Sequence, residues 1–162
     1  MRLQEEEFTQ IYSSHFAKVL RLCKGYVNGN QALATDLAQE VFMKVWQHRG
    51  QFRADASVST WIYRITVNTC LLQLRKAATN QEIQTDVLPE RADDSDALVT
   101  EERLEQLYRA IYQLDETARV IILLVLDGLP YEDISRIVGI PEGLLRVKIH
   151  RTKKRLATLI QP

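Results

Sequence analysis

Cysteine and histidine are scarce in this chain, and long apolar runs are missing. Each absence excludes a class of function. Only two cysteines, Cys23 and Cys70, occur in 162 residues. They form no CxxC pair and lie on apolar helical faces, so they read as buried thiols, with a redox switch between them as the unsupported alternative. His15, His48 and His150 are scattered singly, and no metal site can be assembled from their spacing. No glycine-rich phosphate loop, β-rich run or internal repeat appears. No paired acid and base or nucleophile set appears either, which makes an enzyme the weakest reading and leaves no cofactor to expect. No apolar stretch approaches the roughly 20 residues of a membrane span. The start, Met1-Arg2-Leu3-Gln4-Glu5-Glu6-Glu7, is acidic and lacks the apolar core of a signal peptide, so a cytoplasmic protein is expected.

Lysine plus arginine and aspartate plus glutamate both number 21, a net charge of zero, which at first argues against nucleic acid. The distribution reverses that argument. Residues 1–76 carry ten basic and six acidic side chains, a balance of +4, and residues 103–162 carry ten against seven, a balance of +3. Residues 77–102 carry one against eight, a balance of −7. A length of 162 residues fits one ordinary domain or two very small ones. The charge pattern favours two basic bodies joined by an acidic strap.

The most informative stretch lies near the end, from Gly128 to Leu156. Ile134, Ile137 and Val138 recur at helical spacing, Gly139 supplies the freedom a sharp turn needs, and Pro141 suits the first turn of a second helix. This is a helix-turn-helix signature. From Gly143 onward the second helix carries Arg146, Lys148, Arg151, Lys153, Lys154 and Arg155, with His150, and no carboxylate. Leu145, Ile149, Leu156 and Leu159 or Ile160 form an apolar strip. One greasy side and a cationic remainder suit a helix that lies against phosphates. The plainer alternative is a solvated basic face closing a small helical domain.

Earlier segments are helical too. From Phe8 to Val27 apolar residues fall at steps of three and four, ending where Gly25, Asn28, Gly29 and Asn30 cluster. A second helix is expected from Gln31 to His48, with Leu33, Leu37, Ala38, Val41, Phe42, Val45 and Trp46 as its core side. Asp36, Gln39, Glu40, Met43, Lys44 and Gln47 occupy the other side, which is either solvent surface or a docking face. The loop from Arg49 to Val58 brings an aromatic and two arginines, and Ser57 or Ser59 can cap the next helix. That helix, Thr60 to about Lys76, is expected to bury Trp61, Ile62, Ile65 and Leu72 and to expose Arg64, Asn68, Arg75 and Lys76. Phe52, Trp61 and nearby arginines could hold an unpaired base, although Trp61 fits a core residue better. The strap through Asp96 is polar, acidic and proline-containing, and reads as a flexible linker. Two further helices follow: one carries Leu104, Leu107, Tyr108, Ile111 and Leu114, and the other is capped by Asp115 and stops at Gly128.

Two blocks of this sequence resemble the bacterial sigma factors of the sigma-70 superfamily, specifically the short extracytoplasmic-function group. Asp36-Leu37-Ala38-Gln39-Glu40-Val41-Phe42-Met43-Lys44-Val45-Trp46, followed by Ser59-Thr60-Trp61-Ile62-Tyr63-Arg64-Ile65-Thr66-Val67-Asn68 and Leu74-Arg75, looks like the family's domain 2. Asp127-Gly128-Leu129-Pro130-Tyr131-Glu132-Asp133-Ile134-Ser135, with Gly139-Ile140-Pro141-Glu142-Gly143 and Ile149-His150-Arg151, looks like its domain 4. The resemblance implies an all-α protein of two small helical domains, residues 1–76 and 103–162, joined by a flexible acidic linker, residues 77–102. It implies a protein that binds core RNA polymerase at the beta-prime clamp and beta flap, directs it to promoter DNA, and is held in check by an anti-sigma factor. Asp36, Gln39 and Glu40 would then meet polymerase. Gln51, Phe52, Arg53, Ser57, Arg64 and Asn68 would meet the minus-ten element and a flipped base. Leu144, Arg146, Val147, Lys148, His150, Arg151 and Lys154 would enter the major groove of the minus-thirty-five element.

Some positions depart from that pattern. Pro130 stands where a serine or threonine commonly opens the first helix of the terminal motif. Leu72 and Gln73 stand where aspartate and tyrosine are frequent. Gly143-Leu144-Leu145-Arg146-Val147 replaces the usual Gly-Thr-Val, a basic residue and Ser, and neither Leu144 nor Val147 can donate a hydrogen bond. Either the protein reads an unusual minus-thirty-five sequence through thymine methyls or this surface packs on protein. Two rivals stand beside the leading reading: a stand-alone helix-turn-helix regulator acting without polymerase, and a polymerase-binding adaptor that has lost DNA recognition.

Overall fold

The computed structural model describes residues 5–52, 57–80 and 95–160. Within them the chain forms seven α-helices and one short 3-10 turn. Helix α1 spans Glu5–Tyr26, α2 Gln31–Gln47 and α3 Val58–Asn80, with the 3-10 turn Arg49–Gln51 between the last two. Helices α4 (Ser95–Tyr112), α5 (Glu116–Leu126), α6 (Tyr131–Val138) and α7 (Glu142–Ile160) complete the order. The expected tether is helical at both margins, because α3 continues to Asn80 and α4 begins at Ser95. The residues between them, with Arg53 and the side chains of Arg75 and Lys76, lie outside the described set.

Local chemistry sets the helix ends. Glu5, Glu6 and Glu7 sit in the first turn of α1, where carboxylates favour the positive end of the helix dipole. Asn28 and Gly29, at φ of 58° and 78°, turn the chain left-handed after α1. Asn30 then caps α2, its side-chain oxygen accepting from the Leu33 amide at 3.1 Å. Ser57 caps α3 in the same way, accepting from the Thr60 amide at 3.1 Å. Asp115 caps α5, accepting from the Ala118 amide at 2.8 Å. Pro130 opens α6 without a side-chain cap, and its carbonyl accepts from the Asp133 and Ile134 amides instead.

Helices α1 to α3 bury Val19, Leu22, Cys23, Leu37, Val41, Phe42, Val45, Ile62 and Val67. Phe8, Tyr12, Phe16 and Trp46 pack beside Phe42 in an aromatic cluster at one end. Helices α4 to α7 bury Ile111, Val120, Ile121, Ile122, Leu124, Ile134, Leu145 and Ile149. The sequence predicts two helical groups joined by a linker. Here they touch, and their buried residues form one continuous cluster. Where α1 meets α5, Gly25 lies so close to the Leu123 side chain that a Cβ there would require Leu123 to shift.

The predicted helical phase needs correction in two places. Leu33 and Leu72, assigned to the core, are 40% and 43% exposed. In α3 the inward side carries Tyr63, Thr66 and Thr69 with Ile62, Val67 and Cys70. The two threonines satisfy their hydroxyls by donating to the carbonyls of Ile62 and Ile65, which lets polar side chains sit inside.

Candidate nucleic-acid interface

Helix α7 presents a cationic face because its apolar positions are spent on the core. Leu145, Ile149, Thr152 and Leu156 are buried, at spacings of four, three and four. Thr152 fits there because its hydroxyl donates to the Lys148 carbonyl at 2.7 Å. Leu144, Val147, Arg151 and Lys154 recur at spacings of three, four and three on the opposite side, and all four are exposed. His150 is exposed beside them and Lys148 is half-buried at the edge. Leu144 and Val147 are therefore not covered by this chain, which removes packing on the protein itself as the reason for their apolar character. Arg146 stands off that face. Its guanidinium lies 3.5 Å from the Glu142 carboxylate and 5.5 Å from the Tyr131 ring centre.

The turn that sets α7 against α6 is built locally. Gly139 closes α6 in the left-handed region at φ 73° and ψ 27°. Ser135 then ties the turn down, its hydroxyl donating to the Ile140 carbonyl at 2.5 Å. Arg136 on α6 pairs with Glu132 at 2.7 Å and approaches Asp133 at 3.9 Å.

The second candidate surface lies where α3 begins. Gln51 is exposed, Phe52 is half-buried, and the Phe52 and Trp61 rings are 5.3 Å apart. Ser57 is exposed, with its oxygen committed to capping α3 and to the Thr60 hydroxyl. Asn68 is exposed as expected, but Arg64 is not fully so. It reaches across to α6 and donates to the Arg136 carbonyl at 3.2 Å. The third surface is the polar side of α2. Asp36 and Gln39 are exposed there, and Glu40 is half-buried 3.6 Å from the Lys44 ammonium. Gln39 donates to the Tyr12 hydroxyl at 3.4 Å, and Met43 is 61% exposed. The structure thus brings the α2 residues together on one side, and the α7 residues, apart from Arg146, on another.

Sequence reasoning missed the polar contact between the two helical groups. Asp127, at the end of α5, accepts from Arg21 Nε of α1 at 2.8 Å and from the Tyr63 hydroxyl of α3. Burial, then the hydrogen bond to Asp127 and its negative charge, push the Tyr63 phenol well above the usual tyrosine range. Arg119 is buried nearby, its guanidinium 4.6 Å from the Tyr112 ring centre and 5.1 Å from that of Tyr26. It donates to the Tyr112 and Leu114 carbonyls at 2.6 and 3.2 Å. Tyr112 and Leu114 belong to the α4–α5 corner and Tyr26 to α1, so Arg119 sits at the seam. Tyr63 and Asp127 fall within the two blocks quoted from the sequence, but nothing in those blocks pairs them, because the contact exists only when the helices meet.

Cys23 and Cys70 are fully buried with sulfurs 4.0 Å apart. Their mutual hydrogen bond, then burial, raises the Cys70 thiol well above its ordinary range, which keeps it protonated and unreactive. Among the described residues no group of three or more His, Cys, Asp or Glu is placed to hold a metal ion, and no helix is long and apolar enough to cross a membrane.

Comparison with known proteins agrees with this layout. Residues 11–79 match the family Sigma-70 region 2, and residues 104–156 match Sigma-70, region 4. The chain is 30% identical to the ECF RNA polymerase sigma-E factor of Escherichia coli, over 98% of this chain and 88% of that one. It is 32% identical to the RNA polymerase sigma-H factor of Pseudomonas aeruginosa, over 90% of this chain and 81% of the relative. Its fold is similar to that of the sigma factor RpoE of Bartonella quintana, solved in complex with the anti-sigma factor NepR. The TM-score is 0.77 at 22% identity, covering 96% of this chain and 97% of that one. It is also similar to CnrH, solved with the cytosolic domain of CnrY, with a TM-score of 0.71 at 17% identity, covering 97% and 89%.

Proposed function

The chain belongs to the extracytoplasmic-function sigma factors of the sigma-70 family, and from that premise we propose how its surfaces divide the work of starting transcription. As a sigma factor it directs core RNA polymerase to promoters and is not an enzyme. The observation that carries the division is that the exposed side of α2 and the exposed side of α7 belong to different helical groups, one polar and partly acidic, the other cationic. Asp36, Gln39 and Glu40 meet the beta-prime clamp. Residues 1–76 form the unit that meets polymerase and the minus-ten element, and residues 103–162 the unit that meets the minus-thirty-five element and the beta flap. The intervening residues 77–102, helical as far as Asn80 and again from Ser95, link the two units with an excess of acidic side chains.

In the minus-ten unit, Phe52 and Trp61 offer aromatic faces for an unstacked base, a step that costs a few kcal/mol and needs a preformed pocket. Gln51, Arg53, Ser57 and Asn68 line the approach, and Arg64 joins them once it leaves the Arg136 carbonyl. In the minus-thirty-five unit, α7 enters the major groove, with Lys148, His150, Arg151 and Lys154 on phosphates and base edges. Arg146 contributes from the flank, since Glu142 and Tyr131 already hold its guanidinium.

The protein works in the cytoplasm, and an anti-sigma factor holds it in check by covering both units. A stand-alone regulator is disfavoured because the chain matches both sigma-70 regions and sigma-factor relatives over nearly its whole length. Run-off transcription tests the reading: the purified chain and core polymerase, given a template library with a randomised upstream region, should start transcripts from a restricted set of sequences. Transcript starts unchanged from core polymerase alone would refute it.

A further inference from the structure

We propose that Leu144 and Val147 make α7 a reader of thymine methyl groups, so that two adjacent thymines in the minus-thirty-five duplex specify this protein's promoters. The inference rests on the sigma-factor reading and names what its upstream surface selects. Leu144 is 64% exposed and Val147 48%, on the side of α7 that also carries Arg151 and Lys154. Two large apolar side chains left open on one helical face call for an occupant. The surrounding charge identifies it as the major groove of duplex DNA, because a phosphate-lined groove complements a cationic rim around an apolar tip. Gly143, four positions before Val147 on the same side, has open space where a side chain would stand, so the helix backbone can approach closely there. Glu142, the one carboxylate of α7, is turned toward Arg146 at 3.5 Å rather than left to repel phosphates.

Chemistry then selects the base. In the major groove guanine, adenine and cytosine present donors and acceptors, while thymine alone adds an apolar group, its C5 methyl. An aliphatic side chain set against a donor or acceptor displaces water and returns no hydrogen bond, which costs affinity. Set against a methyl it buries apolar surface on both partners. Leu144 and Val147 are three residues apart, a rise of about 4.5 Å along the helix. That is close to the ~3.4 Å step between successive base pairs, so the two side chains address neighbouring steps.

Deoxyuridine differs from thymidine only by lacking that methyl and keeps the same hydrogen-bonding edge, which makes the test direct. Holoenzyme assembled from the full chain and core polymerase selects sequences from a duplex library randomised across the upstream element. The selected duplexes are then resynthesised with deoxyuridine in place of thymidine. Adjacent thymines should be enriched, and each methyl removed should weaken binding by about fourfold, the value of one buried methyl-sized group. The variant Leu144→Ala/Val147→Ala should bind thymidine and deoxyuridine duplexes alike, whereas Lys154→Ala should weaken both equally and keep their ratio. Equal binding of the two duplexes by the unaltered protein, or enrichment without thymine, overturns the inference and leaves the sigma-factor reading intact. Absence of any selected sequence overturns both. The deoxyuridine comparison on the unaltered protein decides the matter even if a variant folds poorly.

Discussion

Replacing Asp127 with alanine is expected to part the two helical groups without unfolding either one. The carboxylate is 6% exposed and joins three helices, through Tyr63 of α3 and Arg21 of α1 to the end of α5. Removing it strands a buried phenol hydroxyl, a loss of about 1–3 kcal/mol. The Arg21 contact adds less, about 0–1 kcal/mol, because that guanidinium is 62% exposed and solvent screens it. A loss on the order of 2–3 kcal/mol raises the open fraction by roughly 30- to 150-fold. Amide hydrogen exchange reads such local opening directly. Protection should fall around Gly25 of α1 and along α3 where it faces α6, while the interiors of both groups stay protected. A double-mutant cycle with Tyr63→Phe should show coupling of about 1.5–3 kcal/mol, as befits a hydrogen bond to a charged acceptor. Uniformly faster exchange throughout the chain, or strictly additive effects of the two changes, would refute the assignment of Asp127 to the seam.

The Tyr63 phenol is held above the usual tyrosine range, so its contribution to stability is fully present below pH ~10 and falls away as pH rises beyond that value. Urea unfolding across alkaline pH should show this loss in the parent protein and a flatter profile in Tyr63→Phe. Gly25→Ala pushes a methyl into the Leu123 side chain and should destabilise the α1–α5 contact by about 1–3 kcal/mol, measured as a lower urea midpoint; the double variant Gly25→Ala/Leu123→Ala should show no such clash penalty beyond Leu123→Ala alone, and a full penalty there would refute the contact. Asp36→Arg alters an exposed residue, and should abolish capture of core polymerase while leaving the circular dichroism spectrum and thermal midpoint unchanged. Retained capture would place the docking face elsewhere.

What the sequence disclosed and what it hid divide along a physical line. The terminal motif was legible because every part of it is local. Gly139 is left-handed where a sharp turn needs it, and Leu145, Ile149 and Leu156 point inward at the spacing of a helix. The caps Ser57 and Asp115 were legible for the same reason, since each bonds an amide three residues ahead. Leu33 and Leu72 were misplaced because a helix with apolar residues on more than half its circumference leaves its phase undetermined until a neighbour picks the inward side. Tyr63 stands in a recognised block, yet its place in the seam is not readable there, because a tyrosine buried with its hydroxyl satisfied looks, in sequence, like one at the surface. The Arg21–Asp127 pair, separated by 106 positions, leaves no trace in any window of sequence.

The seam also shows how two basic groups come into contact. Balances of +4 and +3 on the two basic stretches would by themselves oppose contact. Repulsion between net charges is screened over about 8 Å at physiological salt, so contact is decided by what stands at the interface itself. There the chain places a carboxylate against Arg21 and two tyrosine rings against Arg119, so neither cation meets another basic group across those contacts. The remaining positive charge of α7 lies on the face opposite its core, where a phosphate backbone rather than the other helical group can reach it. Packing the two groups together therefore leaves the face of α7 proposed to read the upstream element open and engages Arg64 of the proposed downstream surface. On the proposed assignment, the two surfaces differ in how much the chain must rearrange before each can bind DNA.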